Sequence, residues 1–186
     1  MTPYSLAFYL NVVTTGTLLG APPTASPDEV TQVLGTEYAE NPPTDSDDPY
    51  MWRDYGLAEF SWQRASADAP WIGHHFTLQV HRLARGGKVV GETLRSRYGR
   101  FDRRLRFEKL RRLLENRGTP LVEVPDFPSQ APYYRVYWQP TSQVSVRVIR
   151  AHGKYATPDD LRIGDVYRIL APMTPEEVEW RRSRPW

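Results

Sequence analysis

The chain has 186 residues, 24 of them basic and 22 acidic, which gives a net charge of +2 at pH 7. It has no cysteine, which excludes disulfides, thiolate zinc sites and a cysteine nucleophile. With 40% hydrophobic and 25% charged residues it has a globular composition, and we expect one domain, 1–186.

The first twenty residues do not have the pattern of an export signal. They contain no Lys or Arg, and Asn11 interrupts their apolar run together with three threonines. No stretch of the chain approaches the roughly 18 apolar residues of a membrane span. We therefore expect a cytoplasmic protein with no membrane partner.

Charge is distributed unevenly along the chain. Residues 1–81 hold two basic and ten acidic side chains, a net charge of −8. Residues 82–117 hold thirteen basic and four acidic side chains, a net charge of +9. An acidic first half is therefore followed by a basic segment, and each could attract an oppositely charged partner.

Three helices are predicted from their starts. Thr2-Pro3 reads as an N-cap with proline at the first helical position, and Gly16 ends that helix. Ser26-Pro27 is followed by Glu29 at the capping-box position, and Gly35 ends this second helix. The same capping pattern at Thr174 predicts a last short helix.

The stretch from Met51 to Leu83 is predicted to be the central antiparallel pair of a half-buried sheet. In its first part Ala58, Phe60 and Trp62 alternate with polar neighbours, the period of two that a strand imposes. In its second part Phe76, Leu78 and Val80 share one face and Thr77, Gln79 and His81 the other. Tyr55-Gly56 is predicted to be a bend or bulge, since glycine tolerates unusual backbone angles.

The basic segment is predicted to form a helix from an Asp102 N-cap to Arg117. Phe107, Leu110, Leu113 and Leu114 would be its buried stripe. Residues 89–98 before it are predicted to be a short helix or an irregular crossing. Beyond Gly118 we expect strands at 121–124, 133–139, 143–148 and 166–170.

The order of elements suggests two related halves. A helix, a loop and then strands occur at 27–82 and again at 103–149. We therefore expect an α+β fold, an antiparallel sheet with flanking helices, in which two similar α-then-β lobes, 1–100 and 101–186, share one core.

The acidic half is the candidate partner-binding surface. It combines carboxylates of the 36–50 loop and the central strands with aromatic residues of the type enriched in interface hot spots. Such a face would attract a basic protein and raise its association rate. The candidate residues are Asp45, Asp47, Asp48, Trp52, Asp54, Tyr55, Glu59 and Trp71.

Residues 20–83 resemble the small immunity proteins of actinobacterial polymorphic toxin systems. The run SPDEVTQVLG is followed by MWRDYGLAEFSW and by FTLQVHRL. In that family a capped helix precedes a strand of this kind and a further strand. The resemblance implies a cytosolic α+β inhibitor that binds a toxin domain tightly, without catalytic residues or a cofactor.

Two other functions compete with protein binding. The chain could bind a nucleic-acid backbone through the region 95–112, since clustered basic residues attract phosphate. The residues for that function are Arg103, Arg104, Arg106, Lys109, Arg111 and Arg112. Alternatively, His81 could form an acid–base set with Asp54 or Glu59, although an exposed cross-strand ion pair is the simpler interpretation of those charges.

No metal site or cofactor is expected from the motifs. Three histidines lie near the central strands, but there is no HExxH spacing and no carboxylate at a chelating offset. There is no phosphate-binding loop, dinucleotide fingerprint or nucleophile elbow either.

Overall fold

One eight-stranded antiparallel sheet organises the chain in the computed structural model, which describes residues 4–41, 48–153 and 161–184. The helices are α1 (Tyr4–Thr15), α2 (Pro27–Leu34), α3 (Glu92–Tyr98), α4 (Phe107–Glu115) and α5 (Pro175–Arg182). The strands are β1 (Ala39–Glu40), β2 (Tyr50–Asp54), β3 (Ala58–Gln63), β4 (Ile72–Leu78), β5 (Val122–Val124), β6 (Tyr134–Gln139), β7 (Val144–Ile149) and β8 (Val166–Ala171). Two 3₁₀ turns follow β4, Val80–Arg85 and Gly87–Val89. The predicted α+β class is confirmed.

The sheet consists of two four-stranded meanders joined in the middle. Its strand order is β1-β2-β3-β4-β8-β7-β6-β5, so the last strand of each meander pairs with the other. Each meander follows a helix, α2 in the first half and α4 in the second. Both halves contribute to one core cluster, since Phe76 of β4 lies opposite Ala171 of β8 within it.

The two faces of the sheet are covered differently. The inner face packs against α1, α3 and α4, and its side chains are fully buried at Phe60, Phe76, Leu78, Val146 and Ile169. The opposite face, called the outer face here, is covered in the second half by α5. Val178 of α5 packs there with Val124, Val136, Trp138 and Met173. The strand alternation that placed Ala58, Phe60 and Trp62 in the core is confirmed.

Local capping sets the starts of two helices as predicted. The Ser26 hydroxyl accepts from the Glu29 amide at 3.3 Å, and the Glu29 carboxylate accepts from the Ser26 amide at 2.7 Å. Gly35, at φ 93°, ends α2 and donates to the Thr31 carbonyl. The Thr174 hydroxyl accepts from the Glu177 amide at 3.2 Å. The predicted cap at Thr2 lies outside the described residues.

The central stretch forms three strands, where a pair was predicted. Gly56 has φ 85°, and a Cβ there would lie 2.3 Å from the Val89 carbonyl oxygen, so only glycine fits this turn. The Asp54 carboxylate accepts from the Gly56 amide at 2.8 Å. The chain therefore reverses, and β2 pairs antiparallel with β3, which pairs with β4.

The basic helix is shorter than predicted. It begins at Phe107 with Arg106 as its N-cap, and Asp102 is not the cap. The preceding residues are held in an extended path, because the Val166 amide donates to Leu105 and the Phe107 amide donates to Gly164. These contacts join residues about sixty positions apart, so the local sequence pattern does not reveal them. The strands predicted at 121–124, 133–139, 143–148 and 166–170 are all present, with no bound shifted by more than one residue.

Candidate functional site

The outer face of the first meander is open. Three large apolar side chains are exposed there: Tyr50 by 59%, Trp52 by 39% and Ile72 by 58%. Register places them together, because Tyr50 and Ile72 both lie opposite Gln63, and Trp52 lies opposite Ser61. We call these five residues the outer patch. Contiguous exposed apolar surface with polar neighbours is typical of an interaction site.

Carboxylates border the outer patch at one end. Asp54 lies directly opposite Glu59, and Arg82 contacts both. The Arg82 guanidinium donates to the two Asp54 oxygens at 2.8 and 2.7 Å and reaches Glu59 at 3.6 Å. Gln79 also donates to Glu59, at 3.3 Å. Both acids are about one quarter exposed, so this border retains a net negative charge that a partner can reach.

Another predicted residue lies at the start of β2. The Asp48 carboxylate accepts a hydrogen bond from the Tyr50 backbone amide at 3.0 Å. Asp45 and Asp47 lie outside the described residues. Strand register thus brings Trp52, Asp54 and Glu59 to the same face, and Asp48 lies two residues before β2.

Two predicted aromatics are not on this face. Tyr55 is only 7% exposed, and its ring packs 5.3 Å from that of Tyr38, because the turn at Gly56 directs it inward. Trp71 is partly buried against the core and lies under the Arg64 guanidinium at 4.5 Å. Tyr55 is too buried to contact a partner, so its prediction as a binding residue is corrected, whereas the prediction for the partly buried Trp71 stays a prediction.

Sequence reasoning missed Tyr50 and Ile72. Tyr50 is two residues before Trp52 and shares its strand parity, a signal that was present in the sequence. Ile72 joins the patch only through the β3–β4 register, which the sequence alone does not specify.

His81 does not join Asp54 or Glu59. The chain leaves β4 at Leu78 and enters the 3₁₀ turn Val80–Arg85, so the predicted strand alternation through His81 is wrong. The His81 ring stacks on Tyr167 with 4.4 Å between centroids. Burial, reinforced by the nearby Arg168 guanidinium, lowers the pKa of His81 to about 4. Arg82, the next residue, occupies the position beside the two carboxylates.

The lowered pKa of His81 predicts a loss of stability in acid. The unfolded histidine takes up a proton near pH 6.5, whereas the folded one resists until about pH 4. The contribution of neutral His81 to the free energy of unfolding is therefore fully present above pH 6.5, and it is lost as the pH falls from 6.5 to about 4. Allowing for solvent screening of a partly exposed ring, the loss is about 2 kcal/mol. Urea titrations across this pH range should show that the free energy of unfolding depends less on pH in His81→Gln than in the wild-type chain. A His152→Gln control, at an exposed histidine, should keep the steep profile; equal slopes for the two variants would contradict the assignment.

Of the six basic residues considered for nucleic-acid binding, two form ion pairs within the protein and four are exposed without one among the described residues. Arg104 donates to the buried Asp165 carboxylate from two nitrogens, and Arg111 pairs with Glu108 and Glu115. The other four candidates form no ion pair with a described residue, and all are exposed. They are Arg103, Arg106, Lys109 and Arg112.

Within residues 4–41, 48–153 and 161–184, no group of three or more His, Asp or Glu side chains could hold a metal ion. In the same part of the chain, no helix has the length and apolar character needed to cross a bilayer.

Comparison with known proteins finds no match among family models, curated proteins or solved structures. The outer patch is therefore interpreted from its own geometry and charge.

Proposed function

We propose that the chain is a non-enzymatic protein-binding module that docks a basic protein on the outer patch. The observation that carries this proposal is the open sheet face on which Tyr50, Trp52 and Ile72 are exposed around Gln63 and Ser61 of the strand between them, bordered by carboxylates. The partner is a toxin domain whose active site the chain occludes, as the resemblance of residues 20–83 to immunity proteins implies.

The geometry of the patch suits an interface centre. Trp and Tyr supply large contact area with few rotatable bonds, and they dominate the binding energy of many interfaces. The patch stands on three hydrogen-bonded strands, so docking would order little backbone and cost little entropy.

Charge supports a basic partner. Residues 1–81 carry a net charge of −8, and Asp54 and Glu59 border the patch, with the guanidinium of Arg82 in contact with both. A negative field at the rim would accelerate association with a cationic surface and make the rate sensitive to salt. We also propose a cytoplasmic location, with which the absence of cysteine is consistent.

The test is co-expression with the C-terminal domain of a secreted protein encoded by a neighbouring reading frame. The chain should relieve that domain's toxicity and bind it in a calorimetric titration. Trp52→Ala should weaken binding by about 2 kcal/mol, or about 30-fold, because it removes the central ring of the patch.

Trp180→Ala is the matched control. Trp180 is 41% exposed, close to the exposure of Trp52, but it lies on α5 in the other half of the molecule. Its replacement should leave affinity within about twofold. Equal losses for the two variants, or failure of the wild-type chain to relieve toxicity, would sink the proposal.

A second candidate is association with nucleic acid. The exposure of Arg103, Arg106, Lys109 and Arg112 favours it, because none of them is neutralised by a described acid. Phosphate contacts of this kind weaken steeply with salt. A filter-binding titration at low salt tests it, and no retention of DNA or RNA would remove this candidate.

A further inference from the structure

A cavity opens between α5 and the outer face of the sheet, next to the outer patch. Its volume is about 210 Å³. It adjoins the patch because His75, which lines it, lies opposite Ser61. No residue of the patch lines the cavity, so it is a separate feature of the same face. The polar part of its lining consists of His75, Ser145, Arg147, Glu177 and Arg181.

Two hydrogen-bond donors in the lining are free and can be reached from the cavity. Ser145 is 2% exposed, and its hydroxyl forms no hydrogen bond with a described residue. Arg147 donates from Nη2 to Asp126 at 3.1 Å, and its Nη1 has no acceptor in the described part of the chain. Both free atoms retain accessible surface, whereas the Nε of Arg147 is sealed. A ligand in the cavity can therefore contact the hydroxyl and Nη1.

Arginines outnumber carboxylates around the cavity. One Asp126 oxygen accepts from both Arg147 and Arg181, and Arg181 also donates to Glu177 at 2.8 Å. Arg168 lies directly opposite Arg147 on the neighbouring strand and forms no ion pair with a described residue. Three guanidiniums are thus set against two carboxylates, and like charges directly opposite each other in a sheet are destabilising. A bound anion would offset this excess of positive charge.

His75 adds no charge to the lining. Its Nε2 lies 2.7 Å from the Thr77 hydroxyl. Burial, together with the charges of His74 and Arg168, lowers the pKa of His75, and Glu177 opposes that shift. His75 is therefore neutral at pH 7, and the sensitivity of its pKa to Arg168 places that guanidinium close to the cavity.

The rest of the wall is apolar. Val136, Leu170 and Met173 line it, and Val136 and Met173 are held in the small cluster beneath α5. An apolar wall with a few polar groups that orient a ligand is the usual construction of a small-molecule site. The wall offers a surface on which a hydrocarbon tail can be buried.

We infer that this cavity binds a small carboxylate with a short apolar tail. Arg147 Nη1 and the Ser145 hydroxyl donate to the carboxylate oxygens, and the tail lies on Val136, Leu170 and Met173. A guanidinium and a hydroxyl give charge-assisted and neutral hydrogen bonds to the same anion. The volume suits a ligand about the size of an amino acid and excludes a nucleotide.

The experiment titrates the intact protein with isocaproate by calorimetry and follows its melting temperature. Isocaproate should bind saturably in the millimolar range and raise the melting temperature. Isocaproamide has the same tail without the charge, so it should bind at least about tenfold more weakly. Equal binding of the acid and the amide would overturn the inference, because it would show that the arginines play no part.

Ser145→Ala tests the hydroxyl. It should weaken isocaproate about fivefold through loss of one hydrogen bond. In ligand-free buffer the variant should melt no lower than wild type, because the hydroxyl has no partner in the described part of the chain. Unchanged affinity in a variant that melts like wild type would contradict the site.

Arg168→Met tests the excess charge. It should weaken isocaproate about threefold and raise the melting temperature of the free protein, because it also removes the repulsion between Arg168 and Arg147. Arg103→Gln removes an equal charge from an exposed residue before α4 and should change affinity less than about twofold at physiological salt. Equal losses in the two variants would mean general attraction and would overturn the inference.

Leucine identifies the source of the carboxylate. It has the carbon skeleton of isocaproate and an added ammonium group, which the Glu177 oxygen not used by Arg181 can accept. Tighter binding of leucine assigns the site to amino acids, and tighter binding of isocaproate assigns it to simple carboxylic acids. No saturable binding of either overturns the inference. Trp52→Ala should leave both affinities unchanged, so the outcome is independent of docking on the outer patch.

Discussion

Replacing Trp62 by alanine is expected to lower the free energy of unfolding by about 3–5 kcal/mol. Trp62 is fully buried on the inner face, where its ring stacks near Phe60 with 6.0 Å between centroids. Its indole nitrogen donates to the Ala25 carbonyl at 2.8 Å and ties the segment before α2 to the sheet. The variant therefore leaves both a cavity and an unpaired buried carbonyl. Chemical denaturation followed by far-UV circular dichroism measures the loss.

The matched control is Trp52→Ala on the neighbouring strand. Trp52 is 39% exposed on the outer face, so its removal should cost under about 1 kcal/mol. Trp62 thus stabilises the core, whereas Trp52 lies on the proposed binding surface. Equal destabilisation by the two variants would show that the outer patch is structural and would remove the basis for docking there.

Replacing Asp126 by alanine is expected to cost about 3–5 kcal/mol. The Asp126 side chain is 2% exposed, and one of its oxygens accepts from Arg147 at 3.1 Å and from Arg181 at 3.3 Å. The same oxygen accepts from the Phe127 amide at 2.9 Å. Arg181 keeps a second carboxylate, Glu177, but Arg147 has no other ion pair among the described residues. The variant therefore leaves a largely buried guanidinium without its counter-charge.

Two further variants check that cause. Glu179→Ala breaks an exposed pair with Arg182 on α5, the helix that also carries Arg181, and should cost no more than about 0.5 kcal/mol. Adding Arg147→Met to Asp126→Leu should recover much of the lost stability, because an apolar pair no longer carries an uncompensated charge. A double variant as unstable as Asp126→Ala would mean that the aspartate acts through the Phe127 turn and not through the arginines.

Several features of the fold could be predicted from neighbouring residues. The starts of α2 and α5 follow from Ser26 and Thr174, each of which caps an amide three positions ahead. The burial of Phe60 and Trp62 follows from strand alternation, and α+β is the class that such elements produce. These interactions reach only a few positions along the chain, so they leave a readable pattern.

The candidate site could be predicted only in part. Trp52 and the bordering acids Asp54 and Glu59 were identified from composition and charge, and they do lie on one face. Tyr55 and Trp71 were chosen by residue type alone, which says nothing about the direction of a side chain. The neutralising contact of Arg82 with Asp54 spans 28 positions and could not be anticipated.

By itself, the sequence determined the capped helices, the alternating strands, the α+β class and the separation of charge between the two halves. Only the tertiary structure decided that β2 folds back on β3, that α4 begins at Phe107, that His81 meets Tyr167 and that one sheet face stays open. The physical reason is the range of the forces involved. Caps and alternation are satisfied within a few residues, whereas strand register, ion pairs and helix coverage depend on segments brought together from distant parts of the chain.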